Sequence, residues 1–484
     1  MTINELQPKE VFENFYSLTR IPRPSKKEAQ VIAFMKKFGE DLGLETIVDA
    51  AGNVIIRKPA TPGYENRKGV ILQAHLDMVP QKNADTVHDF EKDPIETYID
   101  NGWVRAKGTT LGADDGLGAA AAMGVLAAKN LEHGPIEALF TIDEETGMTG
   151  ANKLKSKVLK GDILLNMDSE TEGELYVGCA GGIDTNGSWT PKMEKVPAGM
   201  AAYQLIVKGL KGGHSGMDIN LGRGNANKIM NTLLIMVSQK FGVRLATING
   251  GSLRNAIPRE SFATVVVPAD KADKMQKFVA EYETAVKEQF AEAEPDLAVL
   301  VEDAEMPAKV IDNKTFKNMM EAIAKYPNGV IGMSKDFEGT VETSSNLALV
   351  KLEKGKIVTC SLQRGLVDEL KDKLAEDVRK VLEDHGAKAE SSGSYHGWKP
   401  NIDSPILATM KKVYKEKFGK EPKVMVIHAG LECGILGAKY PKWDMISFGP
   451  TLVHPHSPDE ALLIESVAPF WEFLVETLKN VPEK

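Results

Sequence analysis

The chain has few cysteines, and they follow no pattern. Three occur in 484 residues, Cys179, Cys360 and Cys433, and no two of them form a C-x-x-C pair. An odd number of widely separated cysteines disfavours a disulfide framework, and the lack of a close pair disfavours a thiolate zinc site. We therefore expect a protein of a reducing compartment.

Long apolar runs and an excess of basic residues are also missing. No run approaches the roughly 18 apolar residues that a membrane-spanning helix requires. The opening MTINELQPKEVFENFYSLTR carries charges throughout and lacks the apolar segment of a signal peptide. The net charge of −9 argues against a nucleic-acid partner, because binding to phosphates requires clustered lysine and arginine. The sequence therefore predicts a cytoplasmic protein that binds neither membrane nor nucleic acid.

The order of predicted elements indicates an α/β domain interrupted by an inserted domain. A chain of 484 residues is too long for one ordinary core. Residues 1–183 alternate short, nearly all-apolar strands with helices, which predicts a sheet covered by helices. Residues 184–393 begin with a polar stretch containing glycine and proline and have a different pattern, typical of an α+β domain. The first pattern returns in residues 394–484, which we expect to complete the α/β domain.

One surface helix is predicted near the start of the chain. In PSKKEAQVIAFMKKFGEDLG, apolar residues recur at helical spacing and Gly43 is placed to end the helix. Ser25 and Glu28 have the spacing of a capping box, in which each side chain accepts a hydrogen bond from the backbone of the first turn. We predict that this pair begins the helix.

The motif QAHLDMVP places His75 and Asp77 two residues apart near the end of a predicted strand. Residues i and i+2 of a strand share a face, so the two side chains project together. This geometry suits a metal-binding histidine whose second ring nitrogen is held by a carboxylate. For this motif alone, the alternative is a buried histidine that lies beside a turn aspartate.

Aspartates mark the ends of two further predicted elements. Asp114 and Asp115 open an alanine-rich helix in GTTLGADDGLGAAAAM, and Asp168 ends the strand in LLNMDSE. One aspartate is enough to cap a helix, so the second of the pair is available to bind or bridge cations. Each of these residues, considered alone, is equally a cap or a loop residue.

A third group of carboxylates lies in LFTIDEETGMTG, where Asp143, Glu144 and Glu145 follow an apolar strand. Neighbouring side chains on a strand point to opposite faces, so the two glutamates cannot simply duplicate one role. They are either two separate functional groups or part of a solvated strand end.

Two histidines, His454 and His456, precede a turn in GPTLVHPHSPDE. Together the motifs place histidines and carboxylates at strand ends of one α/β domain, where open sheets place ligand sites. Nitrogen and oxygen donors without cysteine favour zinc, with manganese or cobalt as substitutes. The carboxylates exceed what one zinc needs, which favours a bridged pair of ions roughly 3.5–4 Å apart.

The motifs AHLDMVP, GTTLGADDG, DEETG, NMDSE, GGHSG, RNAIP and HSPDE occur in this order along the chain. In that order they resemble the dinuclear zinc peptidases and deacylases of the carboxypeptidase G and aminoacylase type. Among these, the chain is most similar to the bacterial aminoacyl-histidine dipeptidases, also called cytosolic nonspecific dipeptidases or carnosinases. The resemblance extends over essentially the whole chain.

The resemblance implies two zinc ions per chain and a role for each motif residue. His75 and Asp168 would bind one ion, Glu145 and His456 the other, and Asp114 would bridge them. Asp77 would hold His75, and Glu144 would be the general base. A cis peptide bond is expected between Asp114 and Asp115.

The resemblance also implies that the inserted domain is a lid that binds substrate. His214 would stabilise the oxyanion, Asn255 would be a substrate-binding amide, and Arg364 would bind the substrate carboxylate. Taken without the resemblance, GGHSG is a glycine-rich turn and Arg364 belongs to a surface ion pair. Glu432 is either the acceptor of the substrate's ammonium group or a carboxylate at a helix start. His428 and His454 are expected to be structural.

The implied activity is hydrolysis of dipeptides with a free amino terminus, including aminoacyl-histidine substrates such as carnosine. Three alternatives remain open: an N-acyl amino acid deacylase with the same metals, a non-catalytic metal-binding protein, and a two-metal phosphoesterase. Members of the family are commonly dimers, so a homodimer is expected.

Overall fold

The structure is a computed structural model that describes residues 2–484. The chain divides into two units. Unit 1 contains the residues as far as Gly178, together with Trp398–Val426 and Leu431–Lys484. Unit 2 contains Cys179–Gly397 and Ile427–Gly430. Within the described residues, no helix is both long and apolar enough to cross a membrane.

The helices alternate with strands along both units. They are α1 (Lys9–Thr19), α2 (Ala29–Asp41), α3 (Ala113–Ala127), α4 (Glu144–Gly147), α5 (Thr149–Lys153), α6 (Ala226–Phe241), α7 (Ala272–Gln289), α8 (Asn313–Lys325), α9 (Asp368–Asp384), α10 (Pro405–Phe418), α11 (Glu432–Lys439) and α12 (Ile464–Lys479). Short 3-10 helices occur at Ile3–Glu5 and Ala269–Lys271.

The strands form separate sheets in the two units. They are β1 (Glu45–Val48), β2 (Val54–Lys58), β3 (Val70–His75), β4 (Thr97–Asp100), β5 (Trp103–Ala106), β6 (Ile136–Thr141), β7 (Ile163–Asn166), β8 (Glu174–Cys179), β9 (Gly181–Trp189), β10 (Met193–Lys195), β11 (Met200–Lys208), β12 (Gly213–His214), β13 (Arg244–Gly250), β14 (Ala256–Ile257), β15 (Ser261–Pro268), β16 (Ala298–Asp303), β17 (Lys309–Ile311), β18 (Gly329–Met333), β19 (Val341–Glu353), β20 (Lys356–Gly365), β21 (Lys388–Tyr395), β22 (Lys423–Ile427), β23 (Asp444–Ser447), β24 (Leu452–Val453) and β25 (Ala461–Leu463).

The main sheet of unit 1 is mixed, with the order β1-β2-β6-β3-β7-β23-β8-β22. The central strands β6, β3, β7 and β23 are parallel. Strands β3, β6 and β7 are buried at every residue, because helices cover the sheet and their apolar sequences leave no polar face. The predicted α/β class is confirmed.

The helix that follows the second aspartate motif, α3, is buried almost throughout. It contacts α1 and β3, and its run Ala119–Ala122 is at most 1% exposed. Small side chains allow the helix backbone to approach its neighbours closely. This helix therefore fixes the position of its own first turn, which contains Asp114 and Asp115.

The predicted helix near the start of the chain is present as α2, and Gly43 follows it with φ 69°. The predicted capping box is wrong. Glu28 occupies the N-cap position but makes no capping hydrogen bond with its side chain. The Glu28 side chain accepts a local hydrogen bond from Lys26 N at 2.8 Å, and the side chains of Ser25 and Glu28 also bind parts of the chain that lie far away in sequence.

Unit 2 has an antiparallel sheet with the order β16-β11-β15-β13-β19-β20-β9-β21, and β18 pairs with β19. Apolar side chains of this sheet form one core with helices α6, α7, α8 and α9. The amphipathic sequence of α9 shows why, since Leu374, Val378 and Leu382 recur on one buried face. Unit 2 is thus the separate α+β domain that the sequence predicts.

Parallel strands in unit 1 end at a common edge. His75 is the last residue of β3, the Asp143–Glu145 stretch follows β6, and Asp168 follows β7. The segment after β23 leads to His456. Because the carboxyl ends of parallel strands meet at one edge, these residues come together although they are far apart in sequence.

Candidate metal centre

The carboxylate of Asp114 lies between two histidines. Its Oδ1 is 3.0 Å from His75 Nε2, and its Oδ2 is 3.1 Å from His456 Nε2. The Asp114-Asp115 peptide bond is cis, as the resemblance implied. Asp115 has the other role predicted for this pair, since its Oδ1 accepts a hydrogen bond from Gly118 N–H in α3. Asp114 is therefore the residue of the pair that faces the cluster.

His75 Nε2 faces two carboxylates. Its Nδ1 lies 3.1 Å from the backbone carbonyl of Asp77 and 3.4 Å from the Asp77 carboxylate. Nδ1 is thus the donor, and Nε2 points its lone pair at Asp114 and at Asp168 Oδ1, 3.4 Å away. A ring nitrogen and a carboxylate oxygen that both carry lone pairs repel each other. The arrangement therefore requires a cation between them, either a proton or a metal ion.

The second histidine, His456, also has two carboxylates near its Nε2, although its side chain is exposed. His456 Nε2 is 3.0 Å from Glu145 Oε2 as well as 3.1 Å from Asp114 Oδ2. The other oxygen, Glu145 Oε1, is buried and has no hydrogen-bond partner within residues 2–484. Ligand atoms of His75, Asp114 and Glu145 all lie within 4.8 Å of one another. This donor set of imidazoles and carboxylates fits a pair of divalent metal ions.

The pKa values of the cluster residues reflect an excess of carboxylates over positively charged groups. Burial and the Asp114 carboxylate together raise the pKa of Asp168 to about 7, although His75 acts in the opposite direction. For His456, burial alone would lower the pKa, but Asp114 and Glu145 raise it to about 11. The pKa of His75 is also raised well above its usual value, because nearby carboxylates outweigh the effect of burial. The cluster therefore attracts cations.

The adjacent glutamates are the first two residues of the short helix α4. Asp143 precedes them in a left-handed conformation, with φ 51°. Successive residues of a helix point about 100° apart, so Glu144 and Glu145 can have different partners. Burial raises the pKa of Glu144 well above its usual value, which is the direction that suits a general base acting near neutral pH.

The carboxylate of Asp77 binds the backbone of the turn that contains Glu144 and Glu145. Its Oδ1 accepts the N–H of Glu144 at 3.0 Å, and its Oδ2 accepts the N–H of Glu145 at 3.3 Å. The same carboxylate lies next to His75 Nδ1. It therefore joins the end of β3 to the glutamate pair, in addition to the contact with His75 predicted from the sequence.

The pair misassigned as a capping box supports the same turn. Ser25 Oγ donates to Asp77 Oδ2 at 2.8 Å, and Glu28 Oε1 accepts the N–H of Asp143 at 3.1 Å. Sequence analysis missed this role because the partners lie at least 52 residues away. The only signal was the polar SKKE segment before a surface helix.

Glu432 is the first residue of α11 and is fully buried in unit 1. Its Oε2 accepts hydrogen bonds from Gln73 Nε2 at 2.7 Å and Thr141 Oγ1 at 2.5 Å. Its Oε1 has no hydrogen-bond partner among residues 2–484. Burial raises the pKa of Glu432 to about 8, with Asp168 and Asp77 acting in the same direction. The predicted helix-start location is confirmed.

In unit 2, His214 and Arg364 lie side by side. The N–H groups of Gly216 and Met217 donate to His214 Nδ1 at 3.3 and 3.0 Å. Nδ1 is therefore an acceptor, and we assign the ring proton to Nε2. Nε2 lies 3.3 Å from Arg364 Nη2, which is also a donor. Two adjacent donors form a site suited to an anionic oxygen.

Arg364 is 3% exposed, so it is not the surface residue of the alternative interpretation. Its Nη1 donates to Tyr395 Oη at 2.9 Å, and its Nε is buried with no hydrogen-bond partner among the described residues. Asn255 belongs to the same region, since its carbonyl accepts the N–H of Ser215 at 2.8 Å, and its side chain is exposed.

The two histidines expected to be structural lie in different units. His428 is buried in unit 2, with Nε2 2.7 Å from Ser344 Oγ. His454 lies in unit 1, in the segment before His456, and has a positive φ of 54°.

Comparison with known proteins gives a consistent result. The family model described as "Peptidase family M20/M25/M40" matches residues 71–480. The "Cytosol non-specific dipeptidase" of Escherichia coli (strain K12) is 46% identical over 482 residues, which cover 100% of this chain and 99% of that protein. Its name places that protein in the cytosol, in agreement with the compartment predicted from the cysteines.

Solved structures extend the comparison. The aminoacylhistidine dipeptidase from Vibrio alginolyticus has a TM-score of 0.90 and 48% sequence identity, with 100% of this chain and 99% of that chain covered. An aminopeptidase from Bacillus cereus ATCC 10987 shares the fold with a TM-score of 0.61 at 17% identity, covering 98% and 99% of the two chains. The chain belongs to peptidase family M20/M25/M40.

Proposed function

We propose that this protein is a metal-dependent dipeptidase that hydrolyses dipeptides with a free amino terminus, including aminoacyl-histidine substrates such as carnosine. The observation that carries the proposal is the Asp114 carboxylate, which has one oxygen near each of two histidines. The names of two relatives with 46% and 48% identity over the full length support the substrate class.

In this proposal, five side chains would hold two zinc ions, for which manganese or cobalt could substitute. His75 and Asp168 would hold one ion and His456 and Glu145 the other. Asp114, which has one oxygen near each histidine, would contribute to both. Two such ions, when bound, polarise the scissile carbonyl and lower the pKa of a water molecule.

Glu144 is the proposed general base. Its carboxylate removes a proton from the attacking water and later delivers that proton to the leaving amine. Asp77 supports this role, because it accepts the N–H of Glu144 and so fixes the start of the turn from which the Glu144 side chain projects.

Three residues are proposed to bind the charged groups of the substrate. The proton on His214 Nε2 suits the developing oxyanion, and the guanidinium of Arg364 suits the substrate carboxylate. Glu432 is the proposed partner of the free ammonium group, which its unpaired Oε1 supports. We further propose that Asn255 contacts the substrate through its side-chain amide.

A substrate panel assayed with and without metal tests the proposal. Ala-His, carnosine and N-acetyl amino acids would be compared after chelation with EDTA and after readdition of Zn²⁺, Mn²⁺ or Co²⁺. We expect dipeptide hydrolysis that is lost on chelation and restored by metal. Faster cleavage of the N-acetyl substrates would identify a deacylase instead, and activity that survives chelation would overturn the mechanism.

We also propose that the protein is a cytoplasmic homodimer. Sedimentation of the purified protein at micromolar concentration tests the assembly, and a monomer throughout that range would contradict it.

A further inference from the structure

Two buried charged residues outside the proposed ligand set hold the segment that contains Asp114. Glu460 and Arg23 are each 2% exposed. Burying an ionised side chain is unfavourable unless its charge and its hydrogen-bonding groups are matched. The hydrogen-bond partners of Glu460 and Arg23 therefore show which backbone segments the two charges stabilise.

Glu460 binds the N–H side of the segment. Its Oε2 accepts from Leu111 N at 2.7 Å and Gly112 N at 3.1 Å. Its Oε1 accepts from Ala113 N at 2.8 Å and lies 3.4 Å from Asp114 N. One carboxylate thus holds four consecutive backbone N–H groups that lead into the aspartate.

Arg23 binds the carbonyl side. Its Nη2 donates to the carbonyl of Gly112, and its Nη1 donates to the carbonyls of Leu76 at 2.9 Å and Asp77 at 3.1 Å. A Cβ on Gly112 would lie 2.7 Å from Arg23 Nη2, so the arginine fits against a position that has no side chain.

The two residues connect the segments that contain three of the proposed ligands. Arg23 joins the residues after His75 to the loop before Asp114, and Glu460 joins that loop to the turn that begins at His456. Opposite charges also lie close to each other here, since burial lowers the pKa of Arg23 while the carboxylates of Asp77 and Glu460 act in the opposite direction.

We propose that Glu460 and Arg23 are positioning residues that hold the Asp114 carboxylate between His75 and His456. The inference rests on the proposed function only in assigning metal ions to this cluster. It adds two residues that touch neither metal nor substrate and act through the backbone of residues 111–114.

The variant Glu460→Gln tests the proposal in the full-length protein. Glutamine is nearly isosteric, but its amide group would point a donor at backbone N–H groups that now share one carboxylate. Loss of a residue that orients metal ligands typically reduces metal affinity about 10–100-fold. We expect a reduction of that size in the affinity for Co²⁺, a changed Co²⁺ absorption spectrum, and a lower kcat with KM altered less than about twofold.

The matched control is Glu465→Gln, which removes the same charge from an exposed position on α12. It should bind Co²⁺ as the wild-type protein does. A Glu460→Gln protein with wild-type Co²⁺ affinity and spectrum would overturn the proposal, as would lowered stability in EDTA with unchanged Co²⁺ affinity.

A second variant covers the case in which Glu460→Gln fails to fold. Arg23→Lys keeps the positive charge but lacks the planar fork that reaches three carbonyls. We expect it to weaken Co²⁺ binding about tenfold, and wild-type binding would contradict the role of Arg23.

The proposed function and this inference fail in different ways. If the wild-type protein bound no Co²⁺ and cleaved no dipeptide, the proposed function would be wrong. The inference would still be decided by metal-free crystal structures. In the Glu460→Gln protein, an Asp114 carboxylate that keeps both distances to His75 and His456 would refute it, and a displaced carboxylate would support it.

Discussion

The two units contain candidate sites of opposite chemistry. In unit 1, hydrogen-bond acceptors face each other, since the Nε2 atoms of His75 and His456 point at carboxylate oxygens. In unit 2, donors face each other, since His214 Nε2 lies beside the Arg364 guanidinium. The arrangement in unit 1 requires a cation, which a metal ion would supply. The arrangement in unit 2 suits an anion, which a substrate carboxylate or oxyanion would supply.

The contrast shows that the backbone partner of Nδ1 determines whether Nε2 of a histidine is an acceptor or a donor. His75 Nδ1 is a donor because it faces the Asp77 carbonyl, whereas His214 Nδ1 is an acceptor because it faces two backbone N–H groups. In the neutral ring, Nε2 is then an acceptor in His75 and a donor in His214. Histidine thus offers an acceptor nitrogen to carboxylates in unit 1 and a donor nitrogen beside a guanidinium in unit 2.

The largest expected effect comes from changing Glu144, the carboxylate in unit 1 that is proposed as the general base. Glu144→Gln should lower kcat for Ala-His by about 10²–10⁴-fold, because general acid–base catalysis contributes roughly that much. Metal content, measured by atomic absorption, should equal that of the wild-type protein. Retained activity with retained metal would exclude Glu144 as the base and would be expected of a protein in which the glutamate is only structural.

A smaller effect is expected from removing the donor in unit 2. Arg364→Met should raise KM for dipeptides about 10–100-fold, since a hydrogen bond to a charged group is worth roughly 1.5–3 kcal/mol. Metal affinity should be unchanged, which separates this variant from changes in unit 1. Arg379→Met, which removes a partly exposed arginine on α9, is the control. An unchanged KM for Arg364→Met would contradict the assignment of this residue to the substrate.

The smallest effect concerns acid stability. Burial lowers the pKa of His428 to about 3, and the Arg364 charge acts in the same direction. An unfolded histidine has a pKa of about 6.5, so the unfolded state binds more protons than the folded state between pH 6.5 and 3. His428 therefore does not reduce the free energy of unfolding above pH 6.5. Below that value, the free energy of unfolding declines as the pH falls towards 3.

Replacement by glutamine should remove that part of the decline. In EDTA, the wild-type protein should lose about 1–2 kcal/mol more than His428→Gln in free energy of unfolding between pH 7 and pH 5. Urea titrations at the two pH values measure the difference. Equal losses in His428→Gln and wild type would show that His428 is not the acid-sensitive group.

The strand ends were predictable from the sequence because those positions depend on local patterns. The apolar strands β3, β6 and β7 were recognisable, and parallel strands bring their carboxyl ends to one edge. The residues after each strand therefore had to meet, whatever the details of packing. The proximity of His75 and Asp168 follows from that topology, whereas Asp114 reaches the cluster from the start of α3.

The supporting contacts were not predictable in the same way. Ser25 and Glu28 match a local capping pattern, but buried partners that come from strand ends outweigh it. Glu460 is separated from the N–H groups that it binds by 346 to 349 residues, so no periodicity reveals the interaction. The signal available was its place in the HSPDE motif, four residues after His456.

The buried contacts of residues 23–28 have a consequence for fragment design. The family match begins at residue 71, and all the proposed ligands lie within it. A fragment cut at that boundary would keep every ligand but would lose Arg23, Ser25 and Glu28. The carbonyl of Gly112 and the N–H of Asp143 would then each lose a buried partner, and the carboxylate of Asp77 would lose the hydroxyl of the partly buried Ser25. A minimal catalytic fragment must therefore begin before Arg23.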